Sequence, residues 1–233
     1  MNRLPACCSP LQHHWPLPRP VPGAVLVSCA FDPTRLASDD FQRAAIEQTP
    51  ALQRSVAKRQ AEYLAGRACA RAALQRLDGR DYVPATGDDR APVWPADIRG
   101  SITHGKGWAA AVVARASDCA GLGLDQENLL EHERAERLAS EILTPAELQR
   151  LDPARTSLTV TLTFSLKESL FKALYPLVLK RFYFEHAEVL AWSDDGHARL
   201  RLLTDLSEEW HHGRELEGQF AVSGDQLLSL VAV

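Results

Sequence analysis

Leu166, Leu170 and Leu174 recur every four residues, and a chain that spaces them so must fold the segment as a helix and bury that face. The same segment, Phe164–Ser165–Leu166–Lys167–Glu168–Ser169–Leu170–Phe171–Lys172, carries a carboxylate and two ammonium groups on a stretch that otherwise reads as core. Ser165, Lys167, Glu168 and Lys172 share the surface that the leucines leave, and Glu168 and Lys172 are neighbours on it. Taken alone, this is an ordinary helix ion pair worth about 0.2–0.5 kcal/mol. What gives it weight is an upstream segment, Gly123–Leu124–Asp125–Gln126–Glu127.

Residues 119–127 read as a strand. Side chains alternate across a strand, so Leu122 and Leu124 point one way while Gly121, Gly123, Asp125 and Glu127 point the other. Two carboxylates then stand side by side at the strand's end, with the glycines predicted to leave open space beside them. Adjacent like charges repel unless a proton or cation sits between them. Carboxylate oxygens are hard ligands and favour Mg²⁺ or Mn²⁺, and Mg²⁺ is commonly held by a few carboxylates together with substrate phosphate.

The rest of the chain frames these two segments. At 233 residues and 45% hydrophobic, it is long enough for one large domain or two modest ones. No apolar run approaches the roughly 20 residues of a membrane-spanning helix, and the proline-rich start lacks the apolar core of a secretory signal, which places the chain in the cytoplasm. The five cysteines are scattered without a Cys-x-x-Cys spacing, against both a disulfide framework and a zinc site. A net charge of −4 does not suggest nucleic acid as a partner. Residues 1–24 read as an extended arm laid down by Trp15 and Leu17. Residues 54–80 read as a basic helix with a small-residue face (Ala57, Ala61, Leu64, Ala68, Ala72), whose arginines form a positive patch able to match phosphate oxygens. A strand from Ile98 ends at Thr103–His104–Gly105, where the glycine lets a ligand approach the backbone. Thr144–Pro145–Ala146–Glu147 has the form of a capping box, and Ser223–Gly224–Asp225 that of a hairpin turn between C-terminal strands.

In combination, these residues resemble a known family. Gly-x-Asp-x-Glu at Gly123, Asp125 and Glu127, Phe-Ser-x-Lys-Glu-Ser-x-Phe-Lys at Phe164–Lys172 and Ser-x-Thr-His-Gly at Ser101–Gly105 resemble the 4′-phosphopantetheinyl transferases of the large, pseudodimeric kind. Ala65–Gly66–Arg67 and the turn from Arg90 to Pro95 extend the likeness over most of the chain after about residue 50. The resemblance implies an α+β fold of two similar α/β halves forming an intramolecular pseudodimer, residues 1–118 and 119–233, with the active site in the cleft between them. It implies transfer of 4′-phosphopantetheine from coenzyme A to a serine of an apo acyl or peptidyl carrier protein, by a monomer, with release of adenosine 3′,5′-bisphosphate. By position, Asp125, Glu127 and Glu168 would hold Mg²⁺. Arg59, Arg67, Arg90, His104 and Lys167 would contact coenzyme A. Lys172 would steady the pyrophosphate and protonate the departing bisphosphate, and Glu168 would take the carrier serine's proton, directly or through a water on the metal. Gln126, in the middle of Asp-x-Glu, and Thr103 depart from the family's usual residues without removing a charge.

Two other readings use the same residues. A metal-dependent nucleotide pyrophosphate hydrolase would employ the three carboxylates without a carrier. A non-enzymatic interaction protein would carry them as surface charge beside a basic helix.

Overall fold

The structure is a computed structural model that describes residues 4–233. The chain divides into two compact units: one takes the N-terminal segment to Trp15 and Pro22–Asp118, the other takes Pro16–Val21 and Cys119–Val233. No helix among the described residues is long and apolar enough to cross a membrane.

The first unit is an antiparallel sheet of β1 (Gln12–His13), β2 (Val25–Ala30), β6 (Trp108–Arg115) and β5 (Ile98–Gly105), in that spatial order, with α3 (Ala57–Asp78) laid across it. Central β6 is Trp-Ala-Ala-Ala-Val-Val-Ala-Arg, and its small side chains let the helix come close: Ala109, Ala111 and Val113 share one core with Ala61, Ala65 and Ala68. Of the predicted small-residue face of α3, Ala61, Leu64 and Ala68 are buried and Ala72 half-buried, but Ala57 is exposed, and the helix is buried almost all round from Ala61 to Leu74. The expected positive patch is therefore divided. Arg67 and Arg71 lie inside, while Arg54, Lys58, Arg59 and Arg76 stay exposed. Buried Asp40 ties down the chain's start by accepting hydrogen bonds from the backbone N–H groups of Ala6 (2.8 Å) and Ala37 (3.1 Å). All five cysteines are reduced and buried, which fits a packing role.

The second unit is a five-stranded antiparallel sheet in the order β7 (Leu122–Asn128), β11 (Gln226–Ala232), β10 (Glu215–Ser223), β9 (His197–Leu202), β8 (Ala187–Trp192). Across it lies α6 (Thr156–Val178), whose Leu162, Leu166, Leu170 and Leu174 are fully buried, as their spacing predicts. The helix continues two residues past Pro176 and closes on Leu179 in the left-handed region. The short α4 (His132–Ile142) packs Ala135, Ala139 and Ile142 on Val160 of α6. The predicted capping box opens α5 (Pro145–Gln149). Gly224, at φ +61°, makes the β10–β11 hairpin. The proline-rich arm contributes Pro16–Val21 to this unit, where the Arg19 N–H donates to Gln219 Oε1 (2.9 Å) and Leu17 is buried.

Gly121, just before β7, and Gly123 within it do not leave open space. A Cβ at Gly123 would fall 1.7 Å from the Ser169 carbonyl oxygen, and one at Gly121 would fall 2.4 Å from that of Ala173. The missing side chains are filled by the backbone of α6, which crosses β7 at a distance no other residue would allow.

Candidate active site

That close crossing builds the site. On α6, Ser165, Glu168, Ser169 and Lys172 follow the i, i+3, i+4, i+7 stripe of one helix face. On β7, Asp125 and Glu127 share the face of Gly123, which lies against this helix. Lys172 Nζ donates to Asp125 Oδ1 (2.7 Å) and to the Leu124 carbonyl (3.1 Å), so the lysine bridges strand and helix. Ser165 Oγ donates to the other carboxylate oxygen, Oδ2, at 2.8 Å. Asp125 is 5% exposed and is thus held from two sides.

Glu127 and Glu168 lie close enough to feel this carboxylate. Burial, then the charge of Asp125, then that of Glu168 push Glu127 up to about 7, against a partial pull from Lys172. Glu168 is also raised, by burial first and by Asp125 as well, while Lys172 pulls the other way. The three carboxylates therefore form one electrostatic unit with more negative charge than a single lysine balances. As the side chains stand, no three His, Cys, Asp or Glu among the described residues converge as a ligand set. The donor chemistry nonetheless fits a hard divalent cation, which would relieve the charge excess that burial and mutual repulsion leave on Glu127 and Glu168.

Beside Glu168 opens a cavity of about 180 Å³ walled by Phe171, Phe182, Tyr183, Phe184 and Arg181. Phe171 packs on Phe182 (5.3 Å between ring centroids) and Phe164 on Phe184 (5.3 Å), so the aromatic wall is continuous with the helix.

Lys167 also borders this cavity but lies off the Ser165–Lys172 stripe. Its ammonium group donates to Glu147 Oε2 (2.8 Å), the Ile142 carbonyl (2.9 Å) and the Phe184 carbonyl (3.0 Å), which uses all three protons at a site 3% exposed. Burial lowers its proton affinity despite the pull of Glu147. The ammonium group is thus a buried clamp tying α6 to α5 and to the turn before β8. Arg67 is also largely buried. Its Nε donates to the Pro84 carbonyl (2.9 Å), one terminal nitrogen donates to Thr86 Oγ1 (3.0 Å), and the guanidinium lies over the Tyr63 ring (4.4 Å). These contacts anchor the hairpin of β3 (Ala85–Thr86) and β4 (Pro92–Val93), whose exposed turn carries Arg90 at φ +72°.

Two other predicted residues of the first unit do come together. Arg59 reaches the His104 ring nitrogen Nε2 at 2.9 Å, and Glu62 stands 3.6 Å from the guanidinium and 3.8 Å from His104 Nδ1.

Comparison with known proteins agrees with the motifs. Residues 47–114 match the model of the 4′-phosphopantetheinyl transferase N-terminal domain, and residues 121–229 match that of the 4′-phosphopantetheinyl transferase superfamily. The chain belongs to the 4′-phosphopantetheinyl transferases. It is 40% identical to enterobactin synthase component D of Escherichia coli (strain K12) over 156 residues, 66% of this chain and 72% of that protein. It is 36% identical to the 4′-phosphopantetheinyl transferase Svp of Streptomyces mobaraensis over 194 residues, 80% of this chain and 77% of that protein. Over 153 residues it is 35% identical to the transferase PptT of Mycobacterium tuberculosis, 64% of this chain and 65% of that protein. The α+β architecture and the assignment as a transferase follow from this membership, which displaces the hydrolase and interaction-protein readings.

Two features of this transferase escaped the motifs. Beyond Phe171, the aromatic cavity wall comes from residues 181–184, which lie outside every motif. Ser229, fully buried behind Asp125, sits inside the apolar run Leu227–Leu228–Ser229–Leu230–Val231, and a polar residue in such a run was the available signal.

Proposed function

We propose that the enzyme transfers 4′-phosphopantetheine from coenzyme A to the serine of an acidic acyl or peptidyl carrier protein, and that the chemistry takes place at the β7–α6 crossing. The observation that carries this reading is the bridge of Lys172 and Asp125 next to two carboxylates of raised proton affinity. Asp125, Glu127 and Glu168 would hold Mg²⁺. When bound, the ion neutralises charge on the pyrophosphate and stabilises the departing phosphate.

The remaining work falls to side chains. Glu168 would accept the proton of the carrier serine, directly or through a water, as the serine oxygen bonds to the phosphorus that carries pantetheine. The phosphoanhydride bond to the nucleotide breaks in the same exchange. Lys172 steadies the leaving oxygen and can return a proton to it. The aromatic cavity suits the largely uncharged pantetheine arm, keeping it beside Glu168 and out of water. In the first unit, Arg59 and His104 would take a phosphate of the nucleotide end, with Arg90 as a further cation.

Intact mass spectrometry of an apo carrier protein after incubation with the enzyme, coenzyme A and Mg²⁺ tests the proposal. A gain of one phosphopantetheine that EDTA abolishes is expected. A gain unaffected by EDTA would remove the metal from the account, and cleavage of coenzyme A without a gain would overturn the transfer.

A further inference from the structure

Behind Asp125 lies a row of three fully buried hydroxyls from two elements. Ser229 of β11 is the cross-strand partner of Asp125 on β7. Its Oγ lies 2.8 Å from Ser165 Oγ and 2.8 Å from Ser169 Oγ, both on α6. Ser169 Oγ also donates to the Ser229 carbonyl at 3.1 Å. All three serines are 0% exposed, and Asp125 is 5% exposed.

A hydroxyl has one proton, and that fixes the direction of the row. Ser165 donates to Asp125 Oδ2 at 2.8 Å, so its oxygen can only accept from Ser229. The proton of Ser229 is then committed, and the 2.8 Å contact between Ser229 and Ser169 needs the proton of Ser169. The Ser169 proton is shared between Ser229 Oγ and the Ser229 carbonyl, whereas a proton turned from Ser229 toward Ser169 would leave Ser165 and Ser229 at 2.8 Å with no hydrogen between them. The O–H dipoles therefore run Ser169 to Ser229 to Ser165 to Asp125, each polarising the next.

We infer that Ser229, which lies outside every motif of the sequence, is a positioning residue for Asp125: it orders a one-way hydroxyl relay that fixes Oδ2 and leaves Oδ1 as the exchangeable oxygen. Oδ1 is the oxygen that Lys172 holds here. The inference rests on the proposed role of Asp125 as a metal ligand. Ser229 itself touches neither substrate nor ion.

The test is Mn²⁺ titration of the full chain with coenzyme A present, followed by the loss of the free-ion electron paramagnetic resonance signal, with melting temperatures in parallel. Ser165→Ala, which removes the direct donor, is expected to weaken Mn²⁺ binding about tenfold or more, Ser229→Ala about three- to fivefold, and Ser169→Ala about twofold. Ser229→Cys keeps a weak donor and should fall between wild type and Ser229→Ala; if Ser229→Ala does not fold, Ser229→Cys takes its place in the order. A purely structural role would instead make affinity follow the melting temperature without this order. Wild-type affinity in the Ser229 variants, or a larger loss in Ser169→Ala than in Ser229→Ala, would overturn the relay while leaving the proposed function standing. A wild-type chain that neither binds Mn²⁺ nor transfers would remove the metal reading and this inference with it.

Discussion

Replacing Gly123 by alanine tests how closely the site depends on the helix–strand crossing. The added Cβ would lie 1.7 Å from the Ser169 carbonyl oxygen and 2.7 Å from the Ala173 backbone nitrogen. Even the closest C–H···O contacts need about 3.3 Å, so helix and strand must separate by about 1.6 Å. Both obstructing atoms are backbone in the middle of α6, and no rotamer change relieves them. Overpacking a core commonly costs about 1–3 kcal/mol, and a rigid backbone clash belongs above that range, at about 4 kcal/mol or more. For a chain of this size that is a fall of about 8 °C or more in melting temperature, read by differential scanning calorimetry. The separation would also draw Ser165 and Lys172 away from Asp125, so transfer should fall even in the fraction that folds. Gly66→Ala is the control. There the new Cβ meets one side-chain methyl, Ile102 Cγ2 at 2.8 Å, on a stiff branched Cβ, and about 1 kcal/mol of helix propensity offsets part of that strain. It should melt between wild type and Gly123→Ala. A Gly123→Ala protein as stable as wild type would refute the packing argument.

Lys167→Met should destabilise the second unit by about 3–5 kcal/mol, because it leaves Glu147 buried with an unbalanced charge. Adding Glu147→Gln should recover part of the loss in chemical denaturation. The exposed Arg80–Asp97 pair gives a pH dependence of known sign. Two hydrogen bonds, of 2.9 and 2.7 Å, hold Asp97 at about 2, below its ordinary 3.8, so its contribution is complete above pH 3.8 and is lost as pH falls through about 2. The melting temperature of Asp97→Asn should lie below that of wild type at pH 5, and the two should converge near pH 2. A difference that grows on acidification would contradict this sign.

Much of the fold was legible because its signals are local. The leucine spacing of α6, the Thr144–Glu147 capping box and the Ser223–Asp225 turn each depend on residues within a few positions of one another. Alternation along β7 correctly put Gly123, Asp125 and Glu127 on one face, but periodicity cannot say what covers a face. Hence glycines that admit a helix backbone read as room for a ligand. The burial of Arg67 and Lys167 was hidden for a related reason. Lysine and arginine are usually exposed, and the carbonyls that make their burial tolerable, Pro84 for one and Ile142 and Phe184 for the other, lie 17 to 25 positions away. The Ser229 network is less legible still, since its partners are 60 and 64 positions distant.

The central claim is that Glu168, at the β7–α6 crossing, acts on the carrier serine. The most direct measurement is the rate of transfer by Glu168→Gln at saturating Mg²⁺, followed by intact mass of the carrier, with coenzyme A and Mg²⁺ affinities measured calorimetrically on the same protein. The amide keeps the shape of the side chain and removes its basicity. Coenzyme A binding within about threefold of wild type and a transfer rate lower by about 10²-fold or more are expected. Full transfer by Glu168→Gln would contradict the assignment and move the base elsewhere in the site.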